Sequence, residues 1–249
     1  MAFVRTAVQA ARWLDRVGIA LLFPKADIVL PSLWEAVNGD REERWAVRDE
    51  AGAFVRWTDE LGVLWGLKDE LPARRLACVG KHLAGVSTCV SPRELPSLYA
   101  LTGRRGAPDD FRDELAGLEL ELAEAVLGLG PLTAPALREA VGAAKKDVDR
   151  ALLRLQRRLV LTHAELVDAE RGWGAIAVDI LPRRFALGRL PEEAAARRHL
   201  AELVLVAAGE ATAADLAGAL GWRRTLAASV LDEVAESRDG GGFRIWTRL

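Results

Sequence analysis

The sequence predicts a mainly helical α+β fold, built of tandem helix-turn-helix units that each carry a small β-hairpin. Three observations predict it. Thr133-Ala-Pro-Ala-Leu-Arg-Glu-Ala-Val-Gly142 aligns with Thr212-Ala-Ala-Asp-Leu-Ala-Gly-Ala-Leu-Gly221 at an offset of 79 residues, and self-similarity of this kind marks a repeated structural unit. Apolar residues on both sides of each copy recur at helical spacing. β-prone runs broken by glycine-rich turns then follow, Leu159-Val-Leu-Thr-His163 and Ala175-Ile-Ala-Val-Asp-Ile180 after one copy, Phe243-Arg-Ile-Trp-Thr-Arg248 after the other.

Within the repeat, Thr133 and Thr212 stand where a hydroxyl would accept the first free N–H groups of a helix. Leu137 and Val141, like Leu216 and Leu220, lie four apart and face one core. Gly142 and Gly221 follow, where a left-handed residue ends a helix. A further helix is predicted at once, over about 144–158 and 223–236, and a longer one precedes each copy, over about 112–128 and 192–208. Three helices with a tight turn before the third, then a hairpin, is the winged helix-turn-helix pattern.

The first 105 residues are read as a decorated member of the same pattern. Val4, Val8, Ala11 and Leu14 share a helix face. Gly18 to Phe23 is apolar, and Pro24 interrupts it. Ser32 to Val37 forms a short helix ended by Asn38-Gly39, residues 45–57 alternate like a hairpin around Glu50-Ala-Gly52, and Thr58-Asp-Glu60 opens another helix. Thr102-Gly-Arg-Arg-Gly-Ala-Pro108 reads as a linker. Three units are therefore expected: residues 1–105, 106–185 and 186–249.

Composition narrows the function. The 249 residues carry 51% hydrophobic and 28% charged residues and a net charge of −2, too apolar for disorder and without the global basic footprint of an obvious nucleic-acid binder. No charge-free apolar run reaches about 18 residues, so no membrane span is expected. The first residues, with Arg5, Arg12, Asp15 and Arg16, read as an amphipathic helix and not as a leader, and a cytoplasmic location is expected. The two cysteines and three histidines match no zinc spacing, so no metal and no cofactor are expected. His82 lies close to Cys78 and Cys89 in sequence, and the three are read as core. No phosphate-binding glycine loop and no nucleophile elbow is present.

Candidate contact residues sit on the predicted third helices. Lys145, Lys146, Arg150, Arg154 and Arg157 follow one another there, with 146, 150, 154 and 157 spaced to share a face and Arg158 beside them. In a helix-turn-helix this element enters the major groove. The competing reading is a solvated face, diluted by Asp147 and Asp149. Arg223 and Arg224 open the last third helix after Trp222, and Arg183, Arg184 and Arg189 precede that unit; such pairs suit phosphates. The rest of that helix is acidic, so a packing role stands equally open. Eight tryptophans accompany a single tyrosine. Each is read first as core, although exposed rings can stack on bases; Trp173, between glycines at a predicted wing tip, is the exposed candidate.

The stretch Arg16-Val-Gly-Ile-Ala-Leu-Leu-Phe-Pro24 with Leu33-Trp34 resembles the AlkZ/YcaQ-type DNA glycosylases, and Leu30-Pro-Ser-Leu-Trp-Glu-Ala-Val37 resembles shorter AlkZ-related proteins more closely. The resemblance implies tandem winged helices around a DNA channel. In that family a Gln-x-Gln or Gln-x-Asp pair follows a Leu-Gly turn, positions a water and offsets the cation that forms as an alkylated base leaves. Counted from Gly18, those places fall on Leu21 and Phe23, which can neither orient water nor balance charge. The expectation is a protein that binds double-stranded DNA, alkylated or distorted, without the family's catalytic pair, in damage recognition or in transcription. Two alternatives stand beside it: a diverged glycosylase using Asp27 or Glu35, and a protein-interaction scaffold with a protein partner.

Overall fold

In the computed structural model, residues 3–83, 85–167, 174–240 and 243–248 are described. Helices and short antiparallel sheets alternate along the chain, an α+β fold. The first elements are α1 (Ala7–Val17), β1 (Ile19–Leu21), α2 (Leu33–Asn38), β2 (Ala46–Arg48), β3 (Phe54–Trp57), α3 (Asp59–Ala73), β4 (Cys78–Gly80), β5 (Thr88–Val90) and α4 (Leu95–Ala100). Hydroxyls begin three of these helices: Thr6, Ser32 and Thr58 each accept the N–H three residues on. The hairpin β2–β3 stands apart as a two-stranded sheet. The sheet that closes this region is β1-β5-β4, whose strands Cys78–Gly80 and Thr88–Val90 carry no period-2 pattern because all six residues are buried.

The next elements are α5 (Gly117–Leu129), β6 (Leu132–Thr133), α6 (Ala134–Val141), α7 (Lys145–Arg157), β7 (Leu161–Val167), β8 (Ala175–Ile180) and α8 (Leu181–Arg184). The last are α9 (Glu193–Ala208), β9 (Glu210–Thr212), α10 (Ala213–Leu220), α11 (Arg224–Val234), β10 (Ala235–Gly240) and β11 (Phe243–Arg248). The repeat behaves as its residues demand. Thr133 Oγ1 accepts from Ala136 N at 3.4 Å and Thr212 Oγ1 from Asp215 N at 3.2 Å. Gly142 and Gly221 end α6 and α10 with φ of +66° and +72°, a conformation costly for any residue with a Cβ. Two boundaries differ from expectation. α5 begins at Gly117 because Phe111 to Leu115 spends itself on turns, with Leu115 N donating to Phe111 O. α11 stops at Val234 because Ala235 is already extended and pairs with Arg248.

One order, helix, strand, helix, helix, strand, strand, runs three times along the described chain, with β2–β3 inserted in its first occurrence. The sheets agree in order as well: β1-β5-β4, β6-β8-β7 and β9-β11-β10 each place the last strand between the other two. The strands that open each set are too short to leave a pattern in sequence.

Packing joins these segments closely. Val4, Leu14, Trp34, Leu64 and Leu71 form one core with Cys89, and Phe111, Leu122, Leu155 and Ile180 belong to a second. The third core is composite: Ile19, Val90 and Tyr99 pack with Leu200, Leu216, Leu231 and Trp246, so β1, β5 and α4 share an interior with α9–α11. No helix among the described residues is long and apolar enough to cross a membrane.

Candidate nucleic-acid interface

α7 owes its orientation to Val148, Ala151, Leu152 and Leu155, buried at helical spacing against the second core. The opposite face carries the expected cations, and the structure divides them into three groups. Lys145, Lys146 and Arg150 stand exposed at the N-terminal turns. Lys145 Nζ lies 3.0 Å from Asp149 and Arg150 Nη1 lies 3.7 Å from Asp147, while Lys146 has no ion-pair partner among the described residues. Exposed pairs of this kind are worth about 0–1 kcal/mol, so they yield readily to a phosphate. Arg154 is held by Glu119 of α5, which also lies 3.5 Å from Arg158. That pair ties α7 to α5 and is structural. Arg157, near the C-terminal end, sits beside Gly85 of the β4–β5 loop and not over the same surface.

Arg223 and Arg224 begin α11, exposed and with no carboxylate partner among the described residues. Neither α7 nor α11 has a side-chain cap at its N-terminus, so the first N–H groups of both helices remain available beside their cations. Arg183 and Arg184 do different work. Arg183 donates to Val126 O and Leu127 O at 2.8 Å each, closing the C-terminal end of α5. Arg184 Nη2 donates to Pro72 O at 2.6 Å and is buried at the seam with α3. Carbonyls consume these two guanidinium groups, which are withdrawn from the phosphate reading. Trp173 lies outside the described residues.

At the two positions where the resemblance implies a catalytic pair, Leu21 is buried and Phe23 is half-buried among aromatic rings. Leu21 is 0% exposed, and its backbone N–H donates to Pro31 O. The Phe23 ring lies 6.0 Å from Trp34, 5.3 Å from Trp45 and 5.9 Å from Trp65, centroid to centroid. Glu35 is spent locally: its Oε2 accepts from Ser32 N at 2.9 Å and Ser32 Oγ at 2.7 Å, and Oε1 lies 3.8 Å from Arg41. Asp27 is 71% exposed on a loop, 3.7 Å from Lys25. The structure does not bring Asp27 and Glu35 together with any cation of α7 or α11.

Cys78 and Cys89 are fully buried, and burial pushes both thiols up to about 12. His82 Nδ1 donates to Gln156 O at 2.9 Å, which leaves Nε2 to face Cys78 Sγ at 3.3 Å. Desolvation lowers the pKa of His82, so the ring is neutral and serves as a joint between β4 and α7. Among the described residues no His, Cys, Asp and Glu cluster could hold a metal ion.

Two features escaped the sequence reading. Trp34 and Trp246 are core, but Trp45, Trp57 and Trp65 are 43%, 58% and 45% exposed, which overturns the core reading for these three. Trp45 flanks β2 and Trp57 ends β3, where neighbouring Phe54 and Val55 are exposed as well, while Trp65 stands on the outer side of α3. Alternation over 45–57 carried the hairpin but could not say that neither face is covered. The second feature is a crevice where the β4–β5 loop meets α7 and the α10–α11 turn. It brings Arg157 near Trp222, which no local pattern could foretell.

The AlkZ-related family model matches residues 4–217. A search of curated proteins finds no match. Among solved structures, the DNA glycosylase AlkZ of Streptomyces sahachiroi aligns at 18% identity over 69% of this chain and 52% of its own, with a TM-score of 0.45. The DIP2311 protein of Corynebacterium diphtheriae aligns at 19% identity over 76% of this chain and 39% of its own, with a TM-score of 0.22. The chain thus spans about half the length of the first and less of the second.

Proposed function

The chain belongs to the AlkZ-related family, and we propose that it binds duplex DNA through the N-terminal turns of α7 and α11 without excising bases. One observation carries the binding: two third helices of the helix-turn-helix order begin with adjacent exposed cations, Lys145-Lys146 and Arg223-Arg224. Such helices place their first turns against the major groove and the phosphates that border it. Taken with the family, this reading makes the protein three winged-helix units, 1–105, 106–185 and 186–249, set on DNA as a sensor of altered duplex or as a regulator. A net charge of −2 keeps non-specific affinity low, so recognition rests on these local cations.

Loss of base excision is supported by the same places that carry the family resemblance. Leu21 and Phe23 offer apolar groups where excision needs a water-orienting and charge-balancing pair. Glu35 is engaged with Ser32, and Asp27 faces solvent.

The test is fluorescence anisotropy of the full chain with plain and N-alkylated duplexes across a salt series, with base release followed in the same samples. Lys145→Ala with Lys146→Ala, and Arg223→Ala with Arg224→Ala, should each weaken binding and flatten the salt slope by roughly 2, since each lost phosphate contact removes about 0.9. Unchanged affinity and slope in both double variants would sink the interface. Release of an alkylated base by the wild-type chain would sink the non-catalytic reading.

A further inference from the structure

We propose that the crevice between the β4–β5 loop, the C-terminal end of α7 and the α10–α11 turn is a binding site for a small organic anion, with a phosphate or carboxylate head on Arg157 and a planar apolar body on Trp222. The crevice comprises two adjoining hollows of about 260 and 420 Å³, both lined by His82, Leu83, Arg157 and Leu220. Spaces of this size suit a single ring with its head group. Their composition is uneven in a telling way. The smaller hollow has an apolar floor of Leu83, Leu159, Leu220 and Trp222 with Arg157 and Arg197 as its charged lining, and Arg157 is the charge of the larger. No carboxylate lines either hollow among the described residues.

The two arginines differ. Arg197 is paired with Glu193, one turn back on α9. Arg157 has no hydrogen bond or ion pair among the described residues. Of the cations on α7 it is the one that lines both hollows, beside Gly85. A Cβ at Gly85 would lie 2.2 Å from Arg157 Nη2, and Gly85 holds φ +70°. A residue with a side chain there would displace the guanidinium as well as strain the loop. His82 offers the ligand no charge. Its ring is neutral by burial, and both nitrogens are engaged with Gln156 and Cys78. The anion therefore depends on the guanidinium, whose planar fork fits phosphate and carboxylate oxygens, and the apolar floor supplies the preference for an organic body.

None of the proposed DNA-contact side chains, Lys145, Lys146, Arg223 and Arg224, lines either hollow, although Trp222 directly precedes Arg223. The crevice touches elements from the beginning, middle and end of the chain, so an occupant would fix their mutual setting.

The test uses the full chain and three probes: phenyl phosphate, inorganic phosphate and benzyl alcohol, by isothermal titration and ¹H–¹⁵N spectra. Phenyl phosphate should saturate one site and shift the amides of Gly85, Gly221 and Trp222, with inorganic phosphate weaker by about tenfold, since a buried ring is worth at least 1.4 kcal/mol. Arg157→Gln should weaken phenyl phosphate by about tenfold or more, the worth of a charged hydrogen bond. Arg223→Ala with Arg224→Ala should leave it unchanged. Gly85→Ala, which blocks the guanidinium's place without removing it, should repeat the loss. A short duplex added to the phenyl phosphate complex separates the sources. Competition identifies the anion as a DNA phosphate entering the crevice, and simultaneous binding identifies a free small molecule. No saturable phenyl phosphate binding, or binding indifferent to Arg157→Gln, overturns the proposal. So does equal affinity for inorganic phosphate, because the apolar floor would then be unused.

Discussion

His163 is a single residue with a large consequence for stability. Its Nδ1 is sealed without a hydrogen-bond partner among the described residues, and burial, followed by repulsion from His82, Lys68 and Lys81, pushes its pKa down to about 3. His82 is lowered too, by desolvation. Both rings are neutral in the folded chain and titrate near 6.5 when unfolded. Between those limits the unfolded chain binds more protons, so stability is complete above about pH 6.5 and falls as the pH drops toward 3. His163 contributes up to about 1.4 kcal/mol per pH unit in that window, and His82 acts in the same direction. Urea unfolding at pH 7.5, 6.0 and 5.0 should show the midpoint falling, and the fall should be smaller in His163→Leu. A midpoint constant from pH 7.5 to 5.0 would contradict the burial assigned here. Leu21 makes the complementary case. Leu21→Gln puts a polar group at the place on which the proposed loss of excision rests, but inside a buried strand. It should destabilise the chain by about 2 kcal/mol and release no alkylated base; activity with intact stability would show that this place still opens to substrate.

At the scale of elements, the threonine caps let the two short repeat helices exist. α6 and α10 have eight residues each, below the length at which a helix holds alone. Thr133→Ala and Thr212→Ala should each cost about 1 kcal/mol, read as a shift in the denaturation midpoint, and the changes should add because the sites are distant. A null effect at both would mean that packing alone fixes these helices. The hairpin β2–β3 lies at the other extreme. Phe54 and Trp57 stack edge to face at 4.9 Å while each stays more than half exposed. Phe54→Ser with Trp57→Ser should change stability by less than about 1 kcal/mol. A larger loss would place the hairpin inside the cooperative fold.

At the scale of the whole molecule, polar contacts reinforce the apolar joints between segments. Gln156 links two of them: its Oε1 accepts from Lys81 N at 2.8 Å and its carbonyl accepts from His82 Nδ1. Thr162 Oγ1 donates to Val79 O at 3.0 Å across the same seam. His199 of α9 meets Glu94 beside α4, where the composite core closes. Gln156→Ala leaves the part-buried Lys81 amide without this acceptor and should cost about 1 kcal/mol. Exchange protection of the Lys81 amide should fall with it, and unchanged protection would show that the seam is held by apolar packing alone.

The sequence by itself determined what local chemistry can fix. A capping threonine, two apolar residues four apart and a glycine of positive φ spell the turn helix of the repeat twice, and both copies form where they are written. Alternation over 45–57 wrote the hairpin. The apolar run after Gly18 carries Leu21 and Phe23, on which the proposed loss of base excision rests. Tertiary structure decided everything that depends on a distant partner. β1 pairs with β5 some 70 residues later, and short buried strands carry no alternation to announce themselves. Charge was divided by contact: Glu119 took Arg154, carbonyls took Arg183 and Arg184, and Gly85 made a separate place for Arg157. A helical wheel shows which cations share a face, but only the packing of neighbouring elements decides which are already spent, because a charge is neutralised by what lies near it in space.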